Sequence, residues 1–295
     1  LLLRTQPGEQ AYLLPCRPHV TRQHLLAKLI SNVRRDRIHL LARLGPQEQK
    51  AVAREVLEGG KTIRESLNEK RERERLKAYQ RTADGEALIE RADWSDWLPR
   101  QPQCDLLLTD PPYSTDVEDI RAFASEWLPR ALDKVKPTGR AYVFVGAYPE
   151  ELRAYLSVEH RWMKLLNVLV WTYRSAMGPQ PKLTYKLNWQ AILYWCGPEA
   201  PPLSCPNLKE QFAVHDVNPP EAHLGRRYHG WQKPDELAER FIVHSTRAGG
   251  VVLDPFAGTG TFLLAAARLG RRALGCEIDQ EMFELARKRG CERAS

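Results

Sequence analysis

The 295-residue chain lacks any run of about 18 consecutive apolar residues, the length that a membrane-spanning helix needs. It also lacks a charged segment followed by an apolar one near its start, so no secretion signal is predicted. We therefore expect a cytoplasmic protein with no membrane partner. Because the chain begins at Leu1 and not at methionine, we also expect a processed, trimmed or domain-length piece.

Metal-ligand spacing is absent among the six cysteines, which stand at positions 16, 104, 196, 205, 276 and 291. Cys196 and Cys205 could join His215 and His223 in a zinc site, but scattered cysteines of this kind are more often free thiols. No metal is predicted. The chain also lacks the full GxGxxG fingerprint, which disfavours a nicotinamide or flavin cofactor.

A base-binding turn is indicated by Asp110-Pro111-Pro112-Tyr113, which directly follows the apolar run 106–108. The carboxylate of Asp110 and the main-chain carbonyl of Pro111 are two acceptors, matching the two hydrogens of an exocyclic amino group. The two prolines fix φ and remove two backbone donors, and Tyr113 adds a flat face for stacking. Alone, such a motif is more often an ordinary strand-ending turn.

A second motif, VVLDPFAGTGT at 251–261, predicts a strand, a glycine turn and a helix from Thr261 to Leu269. Gly258 and Gly260 would let the backbone approach a ligand closely. The helix N-terminus would offer free N–H groups to a carboxylate. The segment therefore has the form of a cofactor loop.

An acidic residue at the end of the next predicted strand supports this interpretation. Glu277 follows the segment 272–276 and lies 23 positions after Asp254. In nucleotide-binding folds, an acid about 20 residues beyond the glycine turn bonds a ribose. The pattern favours an adenosyl compound with an amino-acid tail.

With these motifs, the chain resembles the DNA amino-methyltransferases, which transfer a methyl group from S-adenosylmethionine to adenine N6 or cytosine N4. The resemblance covers about residues 83 to 295. Its four ordered motifs are DPPY at 110–113, HGWQKP at 229–234, DPFAGTGT at 254–261 and GCEID at 275–279. The second motif usually reads HPTQKP, so Gly230 and Trp231 depart from the family, as does Gln190, which stands where an acid is common.

The resemblance implies a role for each matching residue. Asp93, at the end of a strand-like segment, would reach the adenine of the cofactor. The expected catalytic residues are Asp110, Pro111, Pro112 and Tyr113. The expected cofactor-binding residues are Asp93, Lys233, Pro234, Asp254, Phe256, Gly258, Gly260, Thr261 and Glu277. Tyr113 and Phe256 are expected to sandwich a base flipped out of double-stranded DNA.

The implied fold is α/β, a Rossmann-like methyltransferase domain over residues 83–295 with a mostly parallel sheet flanked by helices. The DPPY strand precedes the cofactor strand, an order called the β class. Further strands are predicted over residues 140–145, 166–171 and 190–195. Loops near residues 172–188 and 196–228 are expected to recognise the target sequence.

The first 82 residues are predicted to form a small basic helical region. They hold 18 Lys and Arg against 9 Asp and Glu, a charge of +9, whereas the remainder has 26 against 28, a charge of −2. Helices are predicted at 21–32, 35–44, 47–57 and 62–79, with Thr62 and Glu65 capping the last one. The region is compatible with a DNA-binding helix-turn-helix and equally with a packing module. It also has a faint similarity to plasmid-partition proteins.

Three functions remain open, and the favoured one is a DNA amino-methyltransferase. Its aspartate at the first clamp position, Asp110, favours adenine N6 over cytosine N4, because cytosine-N4 members often carry serine there. Methylation of RNA or of a protein glutamine is disfavoured by the motif order. A non-catalytic DNA-binding or partition factor is disfavoured by the intact motifs. A homodimer, a partner endonuclease of a restriction–modification pair and a partition-type domain outside the chain are also left open.

Overall fold

Residues 44–59, 62–82, 84–173, 181–206, 208–219 and 232–294 are described by the computed structural model of the protein. The chain divides into two compact units, Leu1–Arg73 and Glu74–Ser295. The division lies inside a helix, whereas the sequence suggested a boundary after residue 82. Within the described residues, no helix is both long enough and apolar enough to cross a membrane.

The first unit contains helix α1 (Pro46–Gly59) and the start of helix α2 (Ile63–Ala78). A small apolar cluster joins them, made of Val52, Ala53, Ile63 and Leu67. Both helices were predicted, whereas the two predicted helices before them lie outside the described residues except for Leu44.

The predicted cap of α2 is confirmed as a capping box. The backbone N–H of Glu65 donates to Thr62 Oγ1 at 3.2 Å, and the N–H of Thr62 donates to Glu65 Oε2 at 2.8 Å. Ion pairs between the two helices join Lys70 to Glu48 and Arg73 to Glu55. Part of the positive charge is thus matched within the unit.

The second unit is built on a nine-stranded sheet with the strand order β6-β4-β5-β3-β2-β7-β8-β1-β9. The strands are β1 (Glu86–Arg91), β2 (Cys104–Thr109), β3 (Val135–Val145), β4 (Lys164–Thr172), β5 (Trp189–Cys196), β6 (Val214–Asp216), β7 (Val251–Asp254), β8 (Arg272–Glu277) and β9 (Glu292–Arg293). Both pairings of β5 are antiparallel, and every other pairing is parallel. The predicted α/β fold with a mostly parallel sheet is confirmed.

Helices cover both faces of the sheet because its central strands bury both of their faces. In β2, Leu106 and Leu108 point to one apolar core and Leu107 to the other. The remaining helices are α3 (Trp94–Trp97), α4 (Ile120–Leu132), α5 (Pro149–Leu156), α6 (Asp235–Ser245), α7 (Thr261–Arg268) and α8 (Gln280–Arg289). Helices α6, α7 and α8 pack on the first core, and α3, α4 and α5 pack on the second.

One expectation about the loops was wrong in part. The segment 196–228 was expected to lack secondary structure, yet it contains a 3-10 helix, Leu208–Gln211, and strand β6. Strand β6 pairs with β4, and its His215 packs edge-on against the ring of Phe241. Three residues are too few to show an alternating pattern, so tertiary pairing produces this strand and local sequence does not.

Candidate active site

Four acidic side chains end four adjacent strands of the sheet. Asp110 follows β2, Asp254 ends β7, Glu277 ends β8 and Asp93 follows β1. These strands are parallel neighbours, so their carboxyl ends lie at one edge. Ligands of open α/β sheets bind at this edge.

Asp110 stands at the centre of a hydrogen-bonded network. The hydroxyl of Tyr113 donates to Asp110 Oδ1 at 2.6 Å, and the ammonium of Lys233 donates to Asp110 Oδ2. The same ammonium lies 2.8 Å from the Tyr113 hydroxyl. Burial is the main cause, and the nearby charge of Asp110 the second, that raises the pKa of Tyr113 well above its ordinary value. Tyr113 therefore keeps its proton and remains a donor.

Gln190 joins this network from the start of strand β5. Its Nε2 donates to the Tyr113 hydroxyl at 3.0 Å. An acid at this position would have to accept a hydrogen bond from Tyr113, in competition with Asp110. The departure from the family at Gln190 thus suits the observed network. Its Oε1 is buried, and no hydrogen-bond partner is found for it in the described part of the chain.

The turn after β2 is held by two acids that the sequence did not single out. The N–H of Tyr113 donates to Asp116 Oδ2 at 3.0 Å, and the N–H of Ser114 donates to Glu151 Oε2 at 3.1 Å. Glu151 also accepts a hydrogen bond from the N–H of Gly146. Asp116 could have been found as a local side-chain turn, since it lies three positions after Tyr113. Glu151 carries no such local signal.

The glycine loop leaves space beside its backbone. Gly258 has a φ of +50°, and a Cβ built there would meet no atom within 4 Å. Gly260 has a φ of +76°, and its Cβ would lie 2.5 Å from Cys291 Sγ. Gly260 is therefore required by packing, whereas Gly258 leaves room for a ligand.

Glu277 is tied to the same loop. Its Oε2 accepts a hydrogen bond from the N–H of Gly258 at 2.7 Å, and its Oε1 accepts one from the N–H of Asp279 at 2.8 Å. Burial raises the pKa of Glu277. Asp254 is 1% exposed and accepts a hydrogen bond from the Thr109 hydroxyl at 2.7 Å.

Comparisons with known proteins place this arrangement in a family. The family model described as DNA methylase, of the N6/N4 type, matches residues 104–288. The chain belongs to the N6/N4 DNA methylase family. It is therefore a DNA amino-methyltransferase, as the motifs predicted.

Similar proteins include type II methyltransferase M.HpaI of Haemophilus parainfluenzae, which is 27% identical over an alignment of 216 residues; the match covers 63% of this chain and 67% of that protein. The protein TTHA0409 of Thermus thermophilus, solved with S-adenosyl-L-methionine, is 27% identical with a TM-score of 0.51, over 70% of this chain and 98% of that one. The cytosine-N4-specific PvuII DNA methyltransferase is 20% identical, with a TM-score of 0.58 over 73% of this chain and 89% of that one. This likeness shows the shared fold.

Other residues expected in the methylase site have partners of their own. Thr261 Oγ1 lies 2.9 Å from Arg289 Nη1, which also bonds the Thr259 hydroxyl at 2.7 Å. Arg289 was not anticipated. Asp93 caps α3 by accepting a hydrogen bond from the N–H of Ser95 at 2.8 Å. Pro234 occupies the N-cap position of α6.

Phe256 packs within a group of aromatic rings. The centroid of its ring lies 5.1 Å from Trp127, 5.9 Å from Phe123 and 6.4 Å from Trp94. In the described residues, no ring contact joins Phe256 to Tyr113. The base sandwich formed by these two rings stays a prediction.

Part of the zinc set considered from the sequence can be located. His215 Nδ1 lies 2.9 Å from Arg240 Nη1, and burial lowers the pKa of His215 to about 4. His223 lies outside the described residues. Where the structure describes the chain, no group of three or more His, Cys, Asp or Glu side chains could hold a metal ion.

The buried carboxyl group of Asp254 predicts a pH-dependent stability. Burial raises its pKa from 3.8 to about 7, so its stabilising contribution is complete below 3.8 and is lost as the pH rises to about 7. Asp254→Asn removes this loss. We compare the free energy of unfolding of the variant with that of wild type. The difference, variant minus wild type, should be roughly 2 to 3 kcal/mol larger at about pH 8 than at about pH 5.

Denaturant unfolding without added ligand, at several pH values, measures this difference. Asp96→Asn, at an exposed position on α3, is the matched control. A gain for Asp254→Asn that does not change with pH would contradict the prediction.

Proposed function

We propose that this methylase transfers a methyl group from S-adenosylmethionine to adenine N6 in double-stranded DNA. The environment of Asp110 carries the proposal. The groups bonded to its carboxylate, the Tyr113 hydroxyl and the Lys233 ammonium, are donors. An ionised carboxylate has about four lone-pair sites, so sites remain for the hydrogens of a target amine.

The backbone of the turn supports the same role. In the described part of the chain, no group donates a hydrogen bond to the carbonyl of Pro111. That carbonyl and Asp110 can together accept both hydrogens of an exocyclic amine. Such bonds favour a tetrahedral nitrogen and free its lone pair, which is otherwise delocalised into the aromatic ring. The remaining rate gain comes from orientation and electrostatics.

The cofactor loop fits an adenosyl sulfonium compound. Gly258 leaves open space on the side where other residues carry a Cβ, and Glu277 offers acceptors beside it. S-adenosylmethionine supplies a methyl group on a positively charged sulfur. The residues of the chain then hold the base, accept hydrogen bonds from its amine and exclude water. No covalent enzyme intermediate is required.

Adenine is preferred over cytosine because position 110 is an aspartate, whereas cytosine-N4 members often have serine there. The likeness to PvuII DNA methyltransferase concerns the fold alone and carries no preference for a base. The two products differ in mass and are separable after DNA is digested to nucleosides.

The first test is Asp110→Ala. We expect methyl transfer to fall by about 100-fold or more, because the acceptor of the target amine is lost, while S-adenosylmethionine affinity stays within about threefold. Methylated nucleosides and calorimetry measure the two effects. Asp96→Ala is the exposed control. Substantial turnover by Asp110→Ala would exclude the clamp. If wild type produced N4-methylcytosine, the target base would be cytosine and not adenine.

The second test concerns the cofactor. Glu277→Ala should weaken S-adenosylmethionine binding by about 1 to 3 kcal/mol, the scale of hydrogen bonds to a charged acceptor. Calorimetry measures the change, with Glu281→Ala, an exposed acid on α8, as control. Equal affinities for the two variants would remove Glu277 from the cofactor site.

We also propose that the basic N-terminal region contacts DNA phosphates. Its exposed side chains include Arg54 and Arg64, which carry charge in addition to the ion pairs between α1 and α2. In the full chain, replacing both with Gln should weaken DNA binding. The slope of log affinity against log salt should fall by about 1 to 2, since fewer counterions are released.

The control is the double variant Lys288→Gln with Arg293→Gln, two exposed cations near the C-terminus. DNA titrations at several salt concentrations compare the three proteins. Equal slopes for wild type and the N-terminal variant would favour the packing module.

A further inference from the structure

Lys233 was expected to bind the cofactor, and this stays a prediction. In the structure its ammonium contacts Asp110 and the hydroxyl of Tyr113. Only 4% of its side chain is exposed. The ammonium also lies 5.5 Å from the ring centroid of Tyr113 and 5.6 Å from that of Phe144, so ring faces shield it from water.

The backbone around Lys233 limits its movement. Pro234 fixes the following φ and begins helix α6, where the N–H of Ala238 donates to the Pro234 carbonyl at 3.2 Å. Helix α6 is anchored in the core by Leu237 and Phe241. A rigid helix therefore holds the lysine next to Asp110, and its ammonium can act as a fixed charge.

Another acid that faces Asp110 is Asp254, at the end of β7, and the charge of Asp110 adds to the elevated pKa of Asp254. Tyr155 also faces Asp110 from α5, and burial raises the pKa of its hydroxyl. In the described residues, Lys233 is the one cation bonded to Asp110.

We propose that Lys233 is a positioning residue that holds the Asp110 carboxylate in the orientation that faces the target amine. This inference rests on the proposed function of Asp110 as the acceptor of the clamp. Without the ammonium, Asp110 Oδ2 loses the donor that holds it, and the hydroxyl of Tyr113 alone holds Oδ1. A carboxylate that can turn presents its lone pairs to the amine less often, and a small misplacement of a reacting group slows catalysis.

The geometry also explains why a cation is tolerated beside a nitrogen that gains positive charge during methyl transfer. The Lys233 charge is neutralised by Asp110, so the pair presents an acceptor and no net cation. Lys233 and Tyr113 together occupy two of about four lone-pair sites on the carboxylate, and the others stay available.

The test measures kcat and KM of methyl transfer for wild type, Lys233→Arg, Lys233→Gln and Lys233→Met. Arginine keeps the charge, glutamine keeps a donor without the charge, and methionine keeps neither. Lys288→Met, at an exposed site on α8, is the control. Calorimetry with S-adenosylmethionine and thermal unfolding accompany each variant.

We expect kcat to fall by about 10- to 100-fold in the glutamine and methionine variants, because the buried ammonium that holds Asp110 Oδ2 is lost. Lys233→Arg should restore most of the wild-type kcat, and cofactor affinity should stay within about threefold in the three Lys233 variants. If Lys233→Met does not fold, Lys233→Gln carries the same expectation.

A kcat near that of wild type in a folded, charge-free variant would overturn the inference. So would a cofactor affinity that falls more than about tenfold while turnover at saturating cofactor is retained, because that result places Lys233 at the cofactor. Failure of the proposed function looks different, since Asp110→Ala would then keep substantial turnover or wild type would produce N4-methylcytosine.

Discussion

Four carboxylates gathered at one edge of one sheet are the constraint to which the rest of the site responds. Adjacent like charges in a partly buried place repel one another and are costly to desolvate. The protein offsets this cost with donors: a lysine at Asp110, a threonine hydroxyl at Asp254 and backbone N–H groups at Glu277. The edge is thus an ordered set of acceptors, each with its own compensating partner.

The different partners give chemically similar side chains different properties. Asp110 is paired with a cation and remains 22% exposed, as an acceptor for an incoming amine must be. Asp254 is 1% exposed, and burial raises its pKa to about 7. Glu277 is half-buried and accepts a hydrogen bond from the glycine loop, and burial raises its pKa. Environment, more than residue type, distinguishes these carboxylates.

Much of the fold and part of the site could be predicted from the sequence, because the signals are local. The central strands are continuous apolar runs, and Asp110 and Tyr113 are three residues apart in one turn. The contacts of Lys233 and Glu151 could not be predicted, since they join segments far apart in the chain. Strand β6 was missed for the same reason, because its pairing with β4 is a tertiary effect.

The single reversed strand, β5, has an evolutionary consequence. Because β4 and β5 are antiparallel neighbours, the segment between Thr172 and Trp189 leaves and re-enters the sheet at the edge that carries Asp110. Its length and composition can therefore change without shifting the register of any strand. Substitutions or insertions there would leave the strands that carry the acidic residues in place.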